Sequence, residues 1–558
     1  MVSLFNALNI SSNALTVNES AISVVSHNVA NMNTEGYSKQ KVNLATRNIS
    51  GAIGDNVEAQ VRANGGVMIA NIMRYNDSYL NNYYRDQLSI LKDFEAQLDG
   101  LGDLEGIFND LEGEGIAEAL ASFYEAVNNL NEYPASSTAR VNFIEAAKTL
   151  TTTMNAKSSQ LAELTTKALG DGSSQEALEA SKIYSEFAVF NDKLKELAEV
   201  NKALQVTQTG TLHANNLLDQ RDMILNDIAQ YVDINIEENA QNGSVNLYIG
   251  GQEIVKGAEV KAEFELRTAK EYCEANGLTY PDEWITADGQ PREAAVISIV
   301  KSTETGVEPI VADANSIIQG GSLGGLINSG KVNTENMNAS KAQSALDSLA
   351  ASIAQVFNKL NTQQNAYCIN PNDTGKLMAT NADNYIFGNL VPKIDPNTNQ
   401  PVLDPVTGEQ VYELEKITAS NISVNTNLLT ETGMWNIACA YFDDPANFNE
   451  NAIGNAQNAV AMLGSRTQKI DELGNMSFED FYTNLLGKVA AGSSNLGALV
   501  ETQTNVVDSI KNQILSNNSV DLNEELVDLV KYQTAYSAAA QVFNTCNTCL
   551  DTLMALGG

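Results

Sequence analysis

Residues 26–40 read SHNVANMNTEGYSKQ. The first half closes an apolar ladder that begins at Leu4, and the second half is an Asn-rich run centred on Gly36. Glycine takes the left-handed conformation that other residues avoid, so this run predicts a helix that stops after Ala30 and a turn that redirects the chain. Behind the turn, Leu4, Leu8, Ser11, Leu15, Asn18, Ile22, Val25 and Val29 alternate spacings of four and three, with Ala7, Ala14 and Ala21 on the flank. That is a heptad seam carrying two polar positions. Ahead of the turn, VEAQV at 57–61 and VMIANI at 67–72, separated by Gly65-Gly66, are short strand candidates.

The other end of the chain repeats the arithmetic. Leu522, Leu526, Leu529, Gln533, Tyr536, Ala540, Phe543, Asn547, Leu550 and Met554 again alternate four and three, and Asp521 with Glu524 forms a capping pattern. Proline is placed to allow both helices: Pro134 is the only proline before residue 281, and the remaining nine fall between Pro281 and Pro445. A seam at helical spacing is ordinarily the face a helix turns to its own core. Two matched seams at opposite ends of one chain can instead pair with each other and leave surface for neighbours. The polar positions Ser11, Asn18, Gln533 and Asn547 weaken an isolated pair and tend to fix register and partner.

At 558 residues the chain exceeds ordinary single-domain length, so several cores are expected. It carries 33 Lys and Arg against 69 Asp and Glu, a net charge of −36. Such a surface repels a phosphate backbone and an anionic bilayer, which argues against nucleic acid and membrane partners. Residues 1–38 contain no Lys or Arg, so no cleaved secretory signal is legible and export would need another route. No run of about 18 apolar residues marks a membrane span.

Between the ends, residues 77–230 are helix-patterned: DSYLNNYYRDQLSIL at 77–91 opens on an Asp cap, and IAEALASFYEAVNNL at 116–130 keeps the period. These segments are expected to bundle. From YVDINIE at 231–237 the period changes to two, continuing through SVNLYIGGQEIV at 244–255 and AVISIV at 295–300. A helical block, KAQSALDSLAASIAQVFNKL at 341–360, interrupts this β-rich pattern; residues 366–450 are then loop-rich with alternating pieces, and 452–515 return to helix. The fold class expected is mainly α with a β-rich insert. Residues 1–60 and 505–558 would make a terminal coiled-coil core, 61–230, 316–365 and 452–504 a helical bundle, and 231–315 with 366–451 an outer β-rich domain.

No motif points to chemistry, so no catalytic, cofactor-binding or metal-binding residue is expected. Cys546 and Cys549 have CxxC spacing, yet they fall within a helical pattern without a second pair or a nearby His, and read as ordinary helix positions. The five cysteines are too scattered for a disulfide framework. His27 and His213 accompany no nucleophile pattern and read as solvated or capping residues. DPNTNQPVLDPVTGE at 395–409 has Gln400 and Val406 where a calcium loop needs Gly and Glu, and reads as an exposed hairpin or loop. GGSLGG at 320–325 lacks the Lys-Ser/Thr of a phosphate loop and reads as a turn into a helix.

Residues 26–40 closely resemble the N-terminal signature of the flagellar rod, hook and hook-associated proteins, in which an Ala-Asn-x-Asn-Thr-x-Gly-Tyr turn follows the first helix. Its positions here are Asn31, Asn33, Thr34, Gly36 and Tyr37. Residues 521–553 resemble that family's matching C-terminal helix. NNLLDQRDMIL at 215–225, VNLYIGG at 245–251 and GGSLGGL at 320–326 resemble the hook-associated members in particular. The resemblance spans roughly 1–255, 316–365 and 415–558 and fades elsewhere; Lys39 stands where the family often has Arg, and the Cys pair is a further departure.

The resemblance implies a structural subunit outside the cell, on the flagellum, at the junction of hook and filament. It implies passage, unfolded, through the flagellar export apparatus with an export chaperone, then self-assembly into a ring. The partners it implies are further copies of the chain, the hook protein and a second hook-filament junction protein, with no cofactor. The assembly seam would be Leu4, Leu8, Leu15, Ile22, Val25 and Val29 with Leu522, Leu526, Leu529, Tyr536, Phe543, Leu550 and Met554. The alternatives are a hook or distal-rod subunit, or a secreted adhesin whose middle domain, about 232–450, holds a ligand.

Overall fold

The structure, a computed structural model, describes residues 2–48, 64–109, 115–276, 295–303, 306–311, 317–330, 336–381, 383–388, 390–395, 400–401 and 412–557. The strand candidate at 57–61 lies outside the described residues. Helix α1 (Val2–Asn31) is followed by a ribbon of β1 (Gln40–Asn48) and β2 (Asn64–Arg74), paired antiparallel with Gln40 opposite Arg74. Four long or medium helices succeed it: α2 (Ser78–Phe108), α3 (Ile116–Glu132), α4 (Ser137–Leu169) and, after the short α5 (Gln175–Glu179), α6 (Lys182–Val206). Helix α7 (Leu212–Ala229) carries the LLDQRD segment.

A four-stranded antiparallel sheet then forms from β3 (Asn235–Glu238), β4 (Val245–Ile249), β5 (Gln252–Lys256) and β6 (Glu259–Val260). A three-stranded sheet joins β7 (Glu263–Thr268), β8 (Ala295–Thr303) and β9 (Gly306–Val311), with α8 (Ala269–Asn276) between the first two. Next come α9 (Gly321–Gly330), α10 (Ala339–Thr362), and a three-stranded sheet of β10 (Ala366–Asn370), β11 (Asp373–Ala379) and β16 (Ala440–Tyr441). Small pairs intervene: β12 (Leu390–Pro392) with β15 (Tyr412–Leu414), and β13 (Ile394–Asp395) with β14 (Gln400–Pro401) at the expected hairpin. The chain ends in α11 (Gln457–Gly464), α12 (Phe478–Asn518) and α13 (Leu522–Gly557). It is a mainly helical fold with β inserts whose two terminal helices pack together.

Most helices begin where a short polar side chain can hold an orphan amide. Asp77, Ser136, Ser181, Thr211, Asn338 and Ser477 each accept from the backbone N–H three residues on. Asp521 does the same for α13, accepting from Asn523 N at 2.7 Å and Glu524 N at 3.3 Å. The extended Ser519 before it ends α12, so the C-terminal helical stretch is two helices with a break.

Three principal cores result. The largest gathers α3, α4, α10, α11, the C-terminal half of α2 and the first half of α12 around Phe123, Phe143, Phe357 and Phe387. The second packs α6, α7 and α9 against the sheets of β3–β9. The third is small: Ala21, Val24 and Val25 of α1, Val42 of the ribbon and Tyr532 of α13. The two stretches grouped from sequence as an outer β-rich region share no sheet. Strands β3–β9 belong with the second core, through Val245, Leu247, Ile254, Phe264 and Ile299, whereas Ile386, Phe387, Ala419, Ile422, Val424 and Ile437 fill the first. Alternating apolar residues satisfy either location, and only long-range packing decides between them.

Candidate assembly interface

The turn after α1 is built by its own short side chains. Thr34 N donates to Asn31 O at 2.9 Å, Asn31 Nδ2 to His27 O at 2.9 Å, and Tyr37 N to Thr34 O at 3.3 Å. Gly36 closes it at φ +76°, and a Cβ there would stand 2.3 Å from Met223 Sδ on α7. Both the backbone conformation and the approach of α7 therefore require glycine. Asn33 and Thr34 are exposed at the tip, while Tyr37 turns inward.

Tyr37 leads into a buried polar hub. Its hydroxyl donates to Asn28 Oδ1 at 2.7 Å and meets His27 Nδ1 at 3.0 Å. Asn28 donates to Gln40 O at 2.8 Å and to Glu525 Oε2 at 3.0 Å, and accepts from Gln40 N at 3.1 Å. Gln40 reaches on to α7, donating to Asn216 at 3.0 Å and accepting from Asn215 at 2.9 Å. One asparagine thus ties α1, the ribbon and α13, and one glutamine ties the ribbon to α7. Burial, reinforced by the Asp219 and Glu525 charges, pushes the Tyr37 phenol up, which keeps it a neutral donor.

Charged groups brace the hub from two sides. Lys39 Nζ lies 2.5 Å from Glu524 and 3.5 Å from Glu525, and Lys39 N donates to Asn518 O at 2.9 Å where α12 ends. Burial disfavours the ammonium, but the two glutamates outweigh it and raise Lys39 above its ordinary value. On the other side Asp219 accepts from Ser38 N at 3.2 Å and Arg74 at 2.6 Å, while Asp222 takes Arg74, Arg221 and Arg85 at 2.6, 2.8 and 3.1 Å. Burial pushes the Asp222 carboxyl up, yet the Arg221, Arg74 and Arg85 guanidinium groups override it and hold it well below the usual carboxylate range. Burial dominates at Asp219, which lies above its ordinary value despite Arg74.

From this hub α1 and α13 run back antiparallel. The buried positions are Ser11, Val17, Asn18, Ala21, Val24, Val25 and Asn28 on α1, and Glu525, Tyr532 and Cys546 on α13, with Asp528, Leu529, Ala535, Ala539, Phe543 and Leu550 half-buried. The pairing face is thus rotated by about one position from the seam of large apolar residues. Of that seam, Val25 is buried. Leu4, Leu8, Leu15, Ile22, Val29, Leu529, Phe543 and Leu550 are half-buried, and Leu522, Leu526, Tyr536 and Met554 are exposed.

The outer face of α13 opens with an exposed apolar cluster and carries further apolar side chains, Tyr536, Val542, Leu553 and Met554, among polar ones along its length. Leu526 is 47% exposed, Val527 67%, Val530 61% and Met554 76%. Phe5 near the start of α1 is exposed as well. A monomer rarely leaves so long an apolar strip to water unless a partner covers it. Cys546 is buried between the helices and Cys549 is exposed. His213 is exposed, whereas His27 is half-buried against Tyr37 and Asn216, a role its lone position in the sequence did not disclose. Neither did the sequence disclose Asn28, Gln40, Asn215 or Asp219 as hub residues; the one available signal was the density of polar side chains within NNLLDQRD.

Comparison with known proteins bears on this geometry. Residues 8–37 match the family described as flagella basal body rod protein, and 511–556 the flagellar basal body rod FlgEFG protein C-terminal family. Residues 101–376 match the flagellar hook-associated protein FlgK helical domain. The chain belongs to the flagellar rod, hook and hook-associated protein family, and it is a structural component of the flagellum that assembles with other flagellar parts. Its end-to-end relatives are hook-associated. It is 26% identical to flagellar hook-associated protein 1 of Bacillus subtilis over 100% of both chains. It is 23% identical to that of Salmonella typhimurium over 98% of this chain and 99% of the relative. Its fold resembles that of the flagellar hook junction protein FlgK from Burkholderia pseudomallei, at TM-score 0.52 and 14% identity, covering 77% of this chain and 99% of the other.

Proposed function

We propose that this chain is the ring subunit that joins the flagellar hook to the filament. Its role in this reading is mechanical rather than catalytic. The observation that carries it is the terminal helix pair, locked at one end by the Asn28–Glu525 hub and bearing an uncovered apolar strip along α13. A strip of this kind seeks helices of neighbouring subunits, and burying a Leu or Val side chain supplies about 1.5–3 kcal/mol each. The seam residues Leu4, Leu8, Leu15, Ile22, Val29, Leu522, Leu526, Tyr536 and Met554 then make the contacts between subunits.

In this reading residues 1–60 and 505–558 form the inner layer, with the helical bundle outside it and the β-rich segments facing solvent. The neighbours are the hook protein below and a second junction protein above. Delivery is by the flagellar export apparatus with a chaperone, and no cleaved signal takes part. Deleting the gene tests the assignment: hooks without filaments, with flagellin shed to the medium, are expected, and intact filaments overturn it. Immunolabelling distinguishes the junction from a hook or distal-rod position.

A further inference from the structure

Away from the terminal helices, two buried thiols stand opposite each other at the end of a sheet. Strand β10 pairs antiparallel with β16, with Ala366 opposite Tyr441 and Tyr367 opposite Ala440. One step further along the same pair are Cys368, on β10, and Cys439, the residue before β16. Side chains alternate along a strand, so Ala366 and Cys368 share a face with Tyr441 and, two positions back, with Cys439. Tyr441 packs against the cluster that holds Ala366 and Cys368, as that alternation requires. Opposed residues of an antiparallel pair keep their Cα atoms about 4.5–5.5 Å apart, inside the window of about 4.4–6.8 Å that a disulfide needs. Both cysteines are free and both are buried.

Arg140 of α4 supplies a separate observation. It is 1% exposed, and its guanidinium donates to Cys439 Sγ at 3.3 Å. Its remaining bonds go to the carbonyl oxygens of Pro134 at 3.0 and 2.8 Å, Ile437 at 2.7 Å and Met434 at 3.2 Å. Among the described residues no carboxylate pairs with it. A buried cation without a countercharge is costly, and the thiols beside it are the groups within its reach that can become anions. Burial pushes the Cys439 thiol up and the Cys368 thiol up to about 11, and the Arg140 charge opposes it at both.

We propose that Cys368 and Cys439 are a disulfide-forming pair, which a low-molecular-weight disulfide such as oxidised glutathione closes and a thiol reopens. Cys439 attacks the small disulfide as the thiolate, giving a mixed disulfide and one small thiolate. Cys368 then gives up its proton, and its sulfur displaces the second small thiolate from Cys439. The chain loses two electrons and two protons, and the small disulfide takes them up to become two thiols. Both sulfurs are closed to water in the folded chain, so exchange proceeds while this end of the sheet is open. The bond joins positions 71 apart, 439 less 368, and fastens the excursion between β10 and β16 to the first core, where Cys439 packs. The extracellular location argued above supplies an oxidising medium, but the bond itself does not depend on that reading.

The test holds the full chain in urea below its unfolding transition with oxidised and reduced glutathione, alkylates it in strong denaturant, and maps its peptides by mass. The Cys368 and Cys439 peptides are expected to be joined to each other and to take up no alkylating reagent. The thermal unfolding midpoint should rise by about 5 °C or more, and dithiothreitol should abolish the rise. In Cys368→Ser the rise should be absent and Cys439 should be alkylated; the wild-type map decides the question even if that variant does not fold. Alkylation of both cysteines in the wild type, a link from either to another cysteine, a midpoint unmoved by the bond, or a rise that persists in Cys368→Ser overturns the proposal.

Discussion

Asn28 and Glu525 lie 497 positions apart in the sequence and share a hydrogen bond of 3.0 Å inside a site closed to water. The two ends of the chain are therefore joined by a pair of side chains that each also serve another element: Asn28 holds the backbone of Gln40, and Glu525 stands 3.5 Å from Lys39. Removing either residue strands the others.

Glu525→Ala is expected to destabilise the terminal pair by about 1–3 kcal/mol, because one N–H of the buried Asn28 amide loses its acceptor while the other keeps Gln40 O. Amide exchange in α1 and α13 should quicken while the helical bundle is unchanged. Equal protection in variant and wild type would refute the hub's role.

Gly36→Ala places a side chain at φ +76° and against Met223, and a cost of about 1–3 kcal/mol is expected from the backbone alone. Urea unfolding measures it. Adding Met223→Ala should recover the steric part and leave the conformational part, so the double variant should fall between the single variant and wild type.

The Asp222 cluster fixes a pH dependence. Its carboxyl titrates lower in the folded chain than in the unfolded one, so the stability it contributes is present above the ordinary carboxylate value of about 4 and is lost only as pH falls through the lower folded value. Asp219 acts in the opposite sense, since a raised carboxyl binds its proton more readily when folded and partly offsets the loss. Asp222→Asn should cost about 3–5 kcal/mol at neutral pH, having left three guanidinium groups short of a carboxylate, and the difference from wild type should shrink in strong acid. A gap independent of pH would refute the assignment.

Leu526→Glu and Val530→Glu separate folding from assembly. Both side chains are exposed, so monomer stability should change by no more than about 0.5 kcal/mol. Polymer formation or filament attachment in cells should fail. Variants that still assemble normally would remove the apolar strip from the proposed interface.

Thiol labelling reads the terminal pair directly. Cys549 is exposed, and Cys273, Cys368, Cys439 and Cys546 are buried, so the native monomer should show one rapidly reacting thiol. Cys546 should become reactive in Glu525→Ala before the other three do.

Much of this architecture was legible in the residues. The turn at Asn31 to Tyr37, the caps at Asp77 and Asp521, and the four-three spacing at both ends each carry a local signal. The choice of face was not legible. Ser11, Asn18 and Val25 belong to both the seam of large residues and the face that pairs within the chain, because adjacent stripes on a helix overlap. Spacing alone cannot say which stripe meets its own chain and which meets another. The hub was hidden for a different reason: Asn28, Gln40, Asn215 and Asp219 are joined by contacts across long sequence separations, which leave no period to find. The same limit grouped two stretches, from Tyr231 on and from Ala366 on, whose alternation is alike but whose cores differ.

The terminal helix pair is held by different means along its length. Polar locks crowd at the hub end, and beyond Tyr532 the more buried side chains of α13 are Ala535, Ala539, Phe543, Cys546 and Leu550. The two chain ends are thus pinned by hydrogen bonds and charge where the turn meets α13, and by apolar packing along the rest of their length.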